Sequence, residues 1–418
     1  MNEYADLLII GAGPAGMSAA LAAAPSGARI VVLDDNPLSG GQIWRDGPQA
    51  SLPKQARQLR ERLHACANIR HHPGTRVIAC PGHKQLLVED ADRGWLIDYD
   101  KLILCTGARE LLLPFPGWTL PGVTGAGGLQ ALIKGGLPVQ GERVVIAGSG
   151  PLLLASAATA KHNGAQVVRI AEQASLAAVA GFALQLPRWP GKLVQSLYLF
   201  DRQYRTDTHV VAALGSDRLE GVRLSQQGTI VELDCDRLAC GFGLIPNVQL
   251  GQALGCEVTG SALAVDAWQA TSLADHYAAG ECTGFGGSEL ALVEGEIAGL
   301  AAVGETSAAE QLWPRRARWQ GFARALNGAF RLDPKLKALA QADTLVCRCE
   351  DVPYAAIAGH RDWREAKLAS RCGMGACQGR VCGGALQYLF DWQPSPPRPP
   401  FSPARIETFL CVDETPPA

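Results

Sequence analysis

The stretch that decides the fold is Leu7–Asp34, which reads LLIIGAGPAGMSAALAAAPSGARIVVLD. An apolar strand, three glycines at G-x-G-x-x-G spacing, a helix, a second apolar strand and a closing acid make one βαβ unit. Gly11 allows the tight turn, Gly13 lets the backbone approach a pyrophosphate, and Gly16 lets helix and strand pack closely. The pyrophosphate would lie at the positive end of the helix, and Asp34 is placed to accept from a ribose 2′-hydroxyl. The stretch therefore predicts a dinucleotide-binding domain of the α/β class.

Length and composition limit the number of domains, the kinds of partner and the cellular compartment that we expect for this chain. The 418 residues are enough for two or three domains, and a net charge of −2 gives no reason to expect nucleic acid as a partner. No apolar run reaches the ~18 residues that a spanning helix needs. The N-terminus leads directly into a strand and shows no signal peptide, so we expect a cytoplasmic protein without a membrane span. In that compartment the 13 cysteines are not expected to form disulfides.

A second βαβ pattern begins at Arg143 and closes with an acid at Glu172. Its glycine motif, Gly148-Ser149-Gly150, has Leu153 at the position of the third glycine. Leu153 should push helix and strand apart or narrow the phosphate cradle, although Glu172 could still meet a ribose. We therefore expect weak or no NAD(P)H oxidation, and whether this domain binds any nucleotide stays open.

The chain returns to the first domain after the second βαβ pattern. Gly280-Glu281 follows a short apolar strand and precedes further glycines and a helix, which is a second phosphate- or ribitol-facing arrangement. The predicted organisation is a split first domain at 1–115 and 241–305, a second domain at 116–240, a helical linker at 306–340, a cysteine-containing domain at 341–390 and a Pro-rich C-terminal arm, expected to be extended, at 391–418.

Five cysteines crowd into the C-terminal region, at Cys347, Cys349, Cys372, Cys377 and Cys382. Four thiolates can hold a [2Fe–2S] cluster, with two on each iron. Zinc is the rival metal, although Cys₄ zinc sites usually contain C-x-x-C, a spacing that this chain lacks. If these five cysteines were only buried free thiols, their close spacing in the sequence would have no explanation. The spacing favours an inorganic cofactor.

Taken together, the motifs resemble the flavin-containing disulfide-reductase superfamily, with two Rossmann-like domains, the second inserted in the first. Five segments narrow this resemblance to a smaller group of proteins within the superfamily. They are GGQIWR at 40–45, CTGARE at 105–110, GFGLIPN at 241–247, AAGECTGFGG at 278–287 and the terminal GMGACQGRVC at 373–382. The chain is similar to the α subunits of heteromeric opine, proline and D-hydroxyproline dehydrogenases, which carry a small helical BFD-like [2Fe–2S] domain. The flavoprotein middle subunit of hydrogen cyanide synthase is a close relation.

The resemblance implies specific cofactor contacts. The FAD contacts would be Gly11, Gly13, Pro14, Ala15, Gly16, Asp34, Asp35, Gly41, Gln42, Arg45, Thr106, Gly107, Gly280 and Glu281. Glu281 stands where the superfamily usually has Asp. The [2Fe–2S] ligands would be Cys347, Cys349, Cys377 and Cys382, and Cys372 would be a bystander. The redox dithiol of true disulfide reductases is missing, so that chemistry is excluded. The first site could hold another adenine nucleotide instead of FAD, since the fingerprint recognises ADP.

The resemblance also implies that amine oxidation and onward electron transfer occur in different subunits. Amine oxidation would occur in a flavoprotein β subunit, with FMN allowed at its interface with this chain, and a small [2Fe–2S] γ subunit would complete the electron-transferring complex. The alternatives are a stand-alone NAD(P)H-dependent flavin/[2Fe–2S] reductase and a hydrogen cyanide synthase subunit. No catalytic residue is identified, because His71-His72, the nearest candidate, fits an exposed structural pair in a loop. The aromatic residues at 189–204 are expected to pack inside the domain and not to form a partner surface.

Overall fold

The computed structural model describes residues 2–48, 50–393 and 396–413. Its first stretch alternates strands and helices as the glycine motif predicts. The elements are β1 (Glu3–Ile10), α1 (Pro14–Ala23), β2 (Ile30–Asp34), α2 (Lys54–Ala65), β3 (Ile69–Pro73), β4 (Arg76–Gly82), β5 (Gln85–Glu89) and β6 (Gly94–Leu104).

The middle stretch contains the second βαβ pattern and an antiparallel meander. Its elements are β7 (Ala108–Glu110), β8 (Val123–Gly125), α3 (Ala126–Lys134), β9 (Arg143–Gly148), α4 (Leu152–His162), β10 (Gln166–Glu172), α5 (Leu176–Ala183), α6 (Pro190–Leu199), β11 (Tyr204–Arg205), β12 (Thr208–Leu214), β13 (Gly221–Gln226), β14 (Thr229–Asp234), β15 (Arg237–Gly241) and β16 (Leu244–Pro246).

The last stretch is mostly helical. Its elements are α7 (Gln249–Leu254), β17 (Val258–Thr259), β18 (Ala262–Leu263), β19 (His276–Ala278), α8 (Gly287–Ala302), α9 (Thr306–Glu310), α10 (Trp313–Ala329), β20 (Leu345–Cys347), β21 (Val352–Pro353), α11 (Trp363–Ser370), α12 (Cys382–Phe390) and α13 (Ile406–Asp413).

The chain divides into two compact units, each built from separate stretches of sequence. Unit 1 comprises residues 1–109, 246–323 and 396–418, and unit 2 comprises residues 110–245 and 324–395. Residues 110–245 therefore lie in sequence between the first two stretches of unit 1. The cysteine region belongs to unit 2, and the end of the chain belongs to unit 1.

Unit 1 is organised around a twisted sheet with strand order β3-β2-β1-β6-β5-β4 and with β19 beside β6. The pairs formed among β1, β2, β3, β6 and β19 are parallel, and β5 runs antiparallel to its two neighbours, β4 and β6. The second half of the central strand β1, Leu7 to Ile10, is apolar and buried, as expected for a parallel strand covered on both faces. The glycine loop that follows β1 thus emerges at the carboxyl edge of the sheet.

The helix α1 is covered by α8 at very short range. A methyl group added at Gly295 would lie 2.1 Å from the carbonyl oxygen of Ala15, and one added at Gly299 would lie 2.2 Å from that of Ala19. These two glycines are four residues apart and so share one face of α8. Because neither has a side chain, the backbones of α1 and α8 touch, and this contact fixes the start of α1.

Unit 2 contains a parallel sheet of order β11-β10-β9-β15-β8 and the meander β12-β13-β14. Leu153 is fully buried in the core between this sheet and its helices. Our expectation that the aromatic residues at 189–204 pack inside is correct for Trp189, which is 5% exposed. It is wrong for Tyr198 and Phe200, which are 86% and 69% exposed because they lie at and just beyond the solvent-facing end of α6.

The C-terminal arm differs from the wholly extended segment that its prolines predict, because residues Ile406–Asp413 form α13. No proline occurs between Pro403 and the end of this helix, and Cys411 and Val412 pack on the buried Ile78 and Leu87 of the unit 1 sheet. Pro394 of the predicted arm lies outside the described residues.

Candidate functional site

A buried carboxylate holds the glycine loop of unit 1. Asp34, which is 5% exposed, accepts a hydrogen bond from Ala12 N to Oδ2 at 2.6 Å. Its Oδ1 accepts from the backbone and side-chain nitrogens of Asn36 at 2.8 and 2.9 Å. The sequence assigned a ribose to Asp34, but both of its oxygens already bind the chain. Asp35, the next residue, is exposed.

A shallow cradle lies between the glycine loop and the loop after β2. Gly40 N donates to Ala12 O at 2.7 Å, which brings the two loops together. A methyl group added at Gly13 would meet nothing closer than Gly41 Cα, at 3.8 Å. Helix α1 begins at Pro14, and no side chain caps its start. Its first N–H groups therefore face the cradle without a side-chain partner, as an anion site at a helix N-terminus requires.

A cation lies beside this cradle. Arg45 donates from Nη2 to Gln42 Oε1 at 2.7 Å and to Asn36 Oδ1 at 3.3 Å. Its Nε is buried and, among the described residues, has no hydrogen-bond partner. A buried donor without a partner in the chain is available to a bound acceptor, and here it lies beside Gln42, next to the cradle.

The end of β6 forms another wall of the site. A methyl group added at Gly11 would lie 2.2 Å from the Cys105 carbonyl oxygen, so the glycine loop touches the β6 end directly. Thr106 Oγ1 donates to Asn247 O at 2.5 Å, and Asn247 Nδ2 donates back to Thr106 O at 2.9 Å. These bonds fix Thr106-Gly107 at the carboxyl edge of the sheet, where ligands of open α/β folds bind.

The segment after β19 reaches the same edge. Gly280 has φ +79, a conformation that L side chains rarely adopt, and a methyl group there would lie 2.8 Å from Ala15 Cβ. Glu281 is half-buried, and burial raises the pKa of its carboxyl, although a hydrogen bond from the Gly287 backbone opposes the shift. The structure thus brings the predicted cofactor-binding stretches of unit 1 together around the glycine loop.

Sequence reasoning missed Glu294, a buried acid on the inner face of α8. Its Oε2 accepts from Gly280 N at 3.1 Å and from Thr283 Oγ1 at 3.3 Å, so it holds the segment that carries Glu281. Burial raises the pKa of Glu294 to about 7, against the opposing effects of these two donors and of the Arg316 charge. The signal in the sequence was a pair of acids, Glu294 and Glu296, in the run 290–302, whose other residues are all apolar or glycine.

Three cysteines of unit 2 lie together, and they include Cys372, which the resemblance made a bystander. The sulfur atoms of Cys347, Cys372 and Cys382 all lie within 4.8 Å of one another, and the three side chains are buried. Gly373 N donates to Cys347 Sγ at 3.4 Å. A hydrogen bond with Cys372, together with burial, raises the pKa of Cys382. The structure therefore places Cys372 in direct contact with two of the four predicted ligands.

The other two predicted ligands form a pair. The backbone N–H of Cys377 donates to the sulfur of Cys349, which is exposed, and the Cys349 thiol donates to the sulfur of Cys377. Burial raises the pKa of Cys377, but hydrogen bonds from the Val381 backbone, from Cys349 and from two further loop N–H groups outweigh it, so the pKa lies below that of an ordinary thiol. Backbone N–H groups that converge on a thiolate are typical of iron–sulfur loops.

The histidine pair has a different setting from the exposed loop that the sequence predicted. His71 and His72 lie in β3, which pairs with β2, and both are half-buried because their strand belongs to the sheet. His72 Nε2 lies 3.0 Å from Glu3 Oε2, within hydrogen-bonding distance of a structural partner. Burial lowers the pKa of His71. Both residues therefore have structural surroundings and not those of a catalytic pair.

Comparison with known proteins identifies the class to which this fold and site belong. The chain belongs to the pyridine nucleotide-disulphide oxidoreductase family, whose model matches residues 5–304. It is therefore an oxidoreductase by family.

Within that family the chain is similar to subunits of two kinds of enzyme. It is 31% identical to the A subunit of opine oxidase from Rhizobium meliloti over 460 residues, covering 98% of this chain and 85% of the relative. It is 32% identical to the hydrogen cyanide synthase subunit HcnB of Pseudomonas aeruginosa over 420 residues, covering 90% of each chain. These relatives confirm the resemblance that the motifs indicated.

Solved structures share the fold. The L-proline dehydrogenase from P. horikoshii superposes with a TM-score of 0.68 at 18% identity, covering 97% of this chain and 79% of that one. The thioredoxin reductase of T. acidophilum superposes with a TM-score of 0.55 at 21% identity, covering 73% and 99%. Among the described residues, none of the helices has the length and apolar character needed to cross a membrane.

The residues of the first site fit the FAD that the family implies. The cradle between Gly13 and Gly41 lacks side chains, and the uncapped start of α1 and the unpartnered Arg45 Nε supply donors for a pyrophosphate. The cysteine region offers a group of three thiols and the Cys349–Cys377 pair, and the four thiolates of a [2Fe–2S] cluster would come from among these five.

The free energy of unfolding of the wild-type chain should fall as the pH rises, and we predict that Glu294→Gln abolishes this fall. Because the folded pKa of about 7 exceeds the ordinary value of 4.5, the folded chain holds a proton that the unfolded chain releases. The free energy of unfolding should therefore fall as pH rises between these values, by up to about 3 kcal/mol. Glutamine stays neutral and still accepts from Gly280 N, so the variant should lack this fall in denaturant unfolding at pH 5 and pH 8.

Glu296→Gln is the matched control, because Glu296 lies on the same helix and pairs with Arg315 at the surface. It should leave the wild-type pH dependence unchanged, since exposed ion pairs contribute little. A Glu294→Gln chain with the same fall as wild type would contradict this account of Glu294.

Proposed function

We propose that the chain is the electron-transferring α subunit of a heteromeric amine dehydrogenase that acts on CH–NH donors such as opines, D-hydroxyproline or proline. The observation that carries this proposal is that one chain combines an open FAD-type cradle with a group of three buried cysteines and a neighbouring Cys349–Cys377 pair. The relatives' names support the assembly, because the A subunit of opine oxidase and the alpha subunit of sarcosine oxidase are named as parts of larger enzymes. A flavoprotein β subunit would oxidise the amine, and a small [2Fe–2S] γ subunit would complete the complex.

In this proposal, bound FAD supplies two-electron redox chemistry and the cluster supplies one-electron transfer. The chain's own residues bind and orient these groups. The helix α1 N-terminus and Arg45 would neutralise the pyrophosphate, and Asp35, whose neighbour Asp34 is already engaged by the loop, would meet the ribose. Glu294 would keep Gly280-Glu281 in place beside the cradle.

Hydrogen cyanide synthesis is the second candidate function, because HcnB is as similar to this chain as the opine oxidase relative is. Both candidates give the chain the same electron-transferring role. They differ in the amine that the partner subunit oxidises. Reconstitution with a flavoprotein β subunit, followed by dye reduction with opines, proline or glycine, separates them.

The first test concerns FAD. Gly13 has an ordinary φ of −75, and a methyl group there meets no protein atom within 3.8 Å, so Gly13→Ala should fold normally. The methyl group would instead occupy the cradle that a pyrophosphate must approach, and we expect flavin affinity to fall at least about tenfold. Flavin content after denaturation, with mass spectrometry of the released ligand, measures this.

Gly181→Ala is the control, since an added methyl group on this α5 glycine meets nothing within 4 Å. It should bind flavin like the wild type. A wild-type chain that releases no flavin, or releases only a nucleotide such as ADP, would overturn the FAD assignment.

The second test concerns the cluster, which we assign to Cys347, Cys349, Cys377 and Cys382. Cys377→Ser should abolish the visible absorbance and the EPR signal of the reduced cluster while FAD stays bound, because serine does not replace a thiolate ligand. Cys372→Ser should keep both signals, although Cys372 contacts Cys347 and Cys382. The reverse pattern would replace one of our ligands with Cys372. Stoichiometric zinc without iron in an anaerobic preparation would reject the cluster altogether.

A further inference from the structure

The glycine loop of the second βαβ unit is covered by the chain's own residues 330–333, which follow α10. Ser149 Oγ, in the loop itself, donates to Phe330 O at 3.0 Å. The Phe330 side chain lies over Gly150, and a methyl group added at Gly150 would meet the Phe330 ring at 3.8 Å. Phe182 packs edge-on against the same ring, with centroids 5.4 Å apart. The place where a pyrophosphate would approach the loop is thus filled by protein.

A single glutamine fastens this segment. Gln173 follows β10 and is 3% exposed. Its Nε2 donates to Ser149 Oγ at 2.9 Å and to Arg331 O at 3.0 Å, and its Oε1 accepts from Asp333 N at 3.0 Å. Both N–H groups and the carbonyl oxygen of the amide are therefore used. A buried amide satisfied at every position fixes its partners in one arrangement.

The acid that would meet a ribose is also engaged. Glu172 is fully buried, and it accepts from Gly150 N at 2.7 Å, from Ala174 N at 2.8 Å and from Tyr204 Oη at 3.3 Å. Since Asp34 of unit 1 is engaged in a similar way, the engaged acid alone does not separate the two units. What separates them is the approach to the loop, which a dinucleotide needs open and which Phe330 covers in unit 2.

The covering segment is tied to the cysteine region on its other side. Asp333 O accepts from Tyr388 Oη at 3.0 Å. Tyr388 lies on α12, and α12 begins at Cys382. A continuous series of hydrogen bonds therefore joins Ser149 in the glycine loop, through Gln173 and Asp333, to the helix that carries a cysteine of the cluster.

We propose that the second dinucleotide fold is not a nicotinamide site but an anchor, in which residues 330–333 take the place of the pyrophosphate and hold the cysteine segment through Tyr388. The inference does not depend on which amine the complex oxidises. It predicts that NADH and NADPH neither bind this chain nor reduce it, even though the fold belongs to a pyridine nucleotide family.

The test compares Gln173→Ala with Gln166→Ala, whose exposed side chain lies on the same strand β10. Hydrogen–deuterium exchange is measured on the full-length chain, with the strand at 7–10 as an internal control for folding. We expect Gln173→Ala to speed amide exchange in 330–335 and 382–390 by at least about tenfold, because the anchor opens locally. Gln166→Ala should match the wild type.

Two further measurements complete the test. Tyr388→Phe removes only the hydrogen bond to Asp333. It should speed amide exchange in 382–390 without affecting 330–333. This variant replaces Gln173→Ala in the test if Gln173→Ala does not fold. Wild-type chain titrated calorimetrically with NADH and NADPH to millimolar concentration should show no saturable binding. Saturable binding that protects residues 148–150, or unchanged exchange in both variants, would overturn the proposal.

Discussion

The structure depends on one interaction that occurs in both βαβ units: a buried carboxylate accepts a hydrogen bond from the backbone of the glycine loop. Asp34 binds Ala12 N at 2.6 Å in unit 1, and Glu172 binds Gly150 N at 2.7 Å in unit 2. A buried carboxylate is costly unless N–H donors surround it, so the bond and the burial require each other. It fixes the end of the second strand against the loop and thereby decides where helix α1 or α4 begins.

The two units differ in what lies over that shared arrangement. In unit 1 the cradle between Gly13 and Gly41 is open, and Arg45 Nε has no partner among the described residues. In unit 2, Phe330 and Gln173 cover the loop and satisfy its polar groups. In our proposal the same fold therefore holds a cofactor in unit 1 and supports the cysteine region in unit 2. Electrons would then pass through FAD and a cluster, and a nicotinamide nucleotide would have no site in unit 2.

The sequence predicted features whose signals are local. The glycine spacing and the closing acid of Leu7–Asp34 indicated the first unit, and the close spacing of Cys347 to Cys382 indicated a common site. It could not predict that Gln173 reaches a segment about 160 residues further along the chain, because only the folded chain brings these parts together. Glu294 and α13 were missed for the same reason, since their partners, Gly280 and the β4–β5 region, lie on other elements. The histidine pair was misplaced because pairing with β2 overrides the loop signal of the following proline.

The most direct test of the central claim is an anaerobic reductive titration of the full-length chain, followed by its visible spectrum and by EPR. A chain that holds one FAD and one [2Fe–2S] cluster should take up about three electrons from dithionite. The same chain should take up none from NADH, because the second glycine loop is closed. Uptake of only about two electrons without an EPR signal would contradict the presence of a cluster. Complete reduction by NADH would contradict the claim that the glycine loop of unit 1 is open to a cofactor and that of unit 2 is closed.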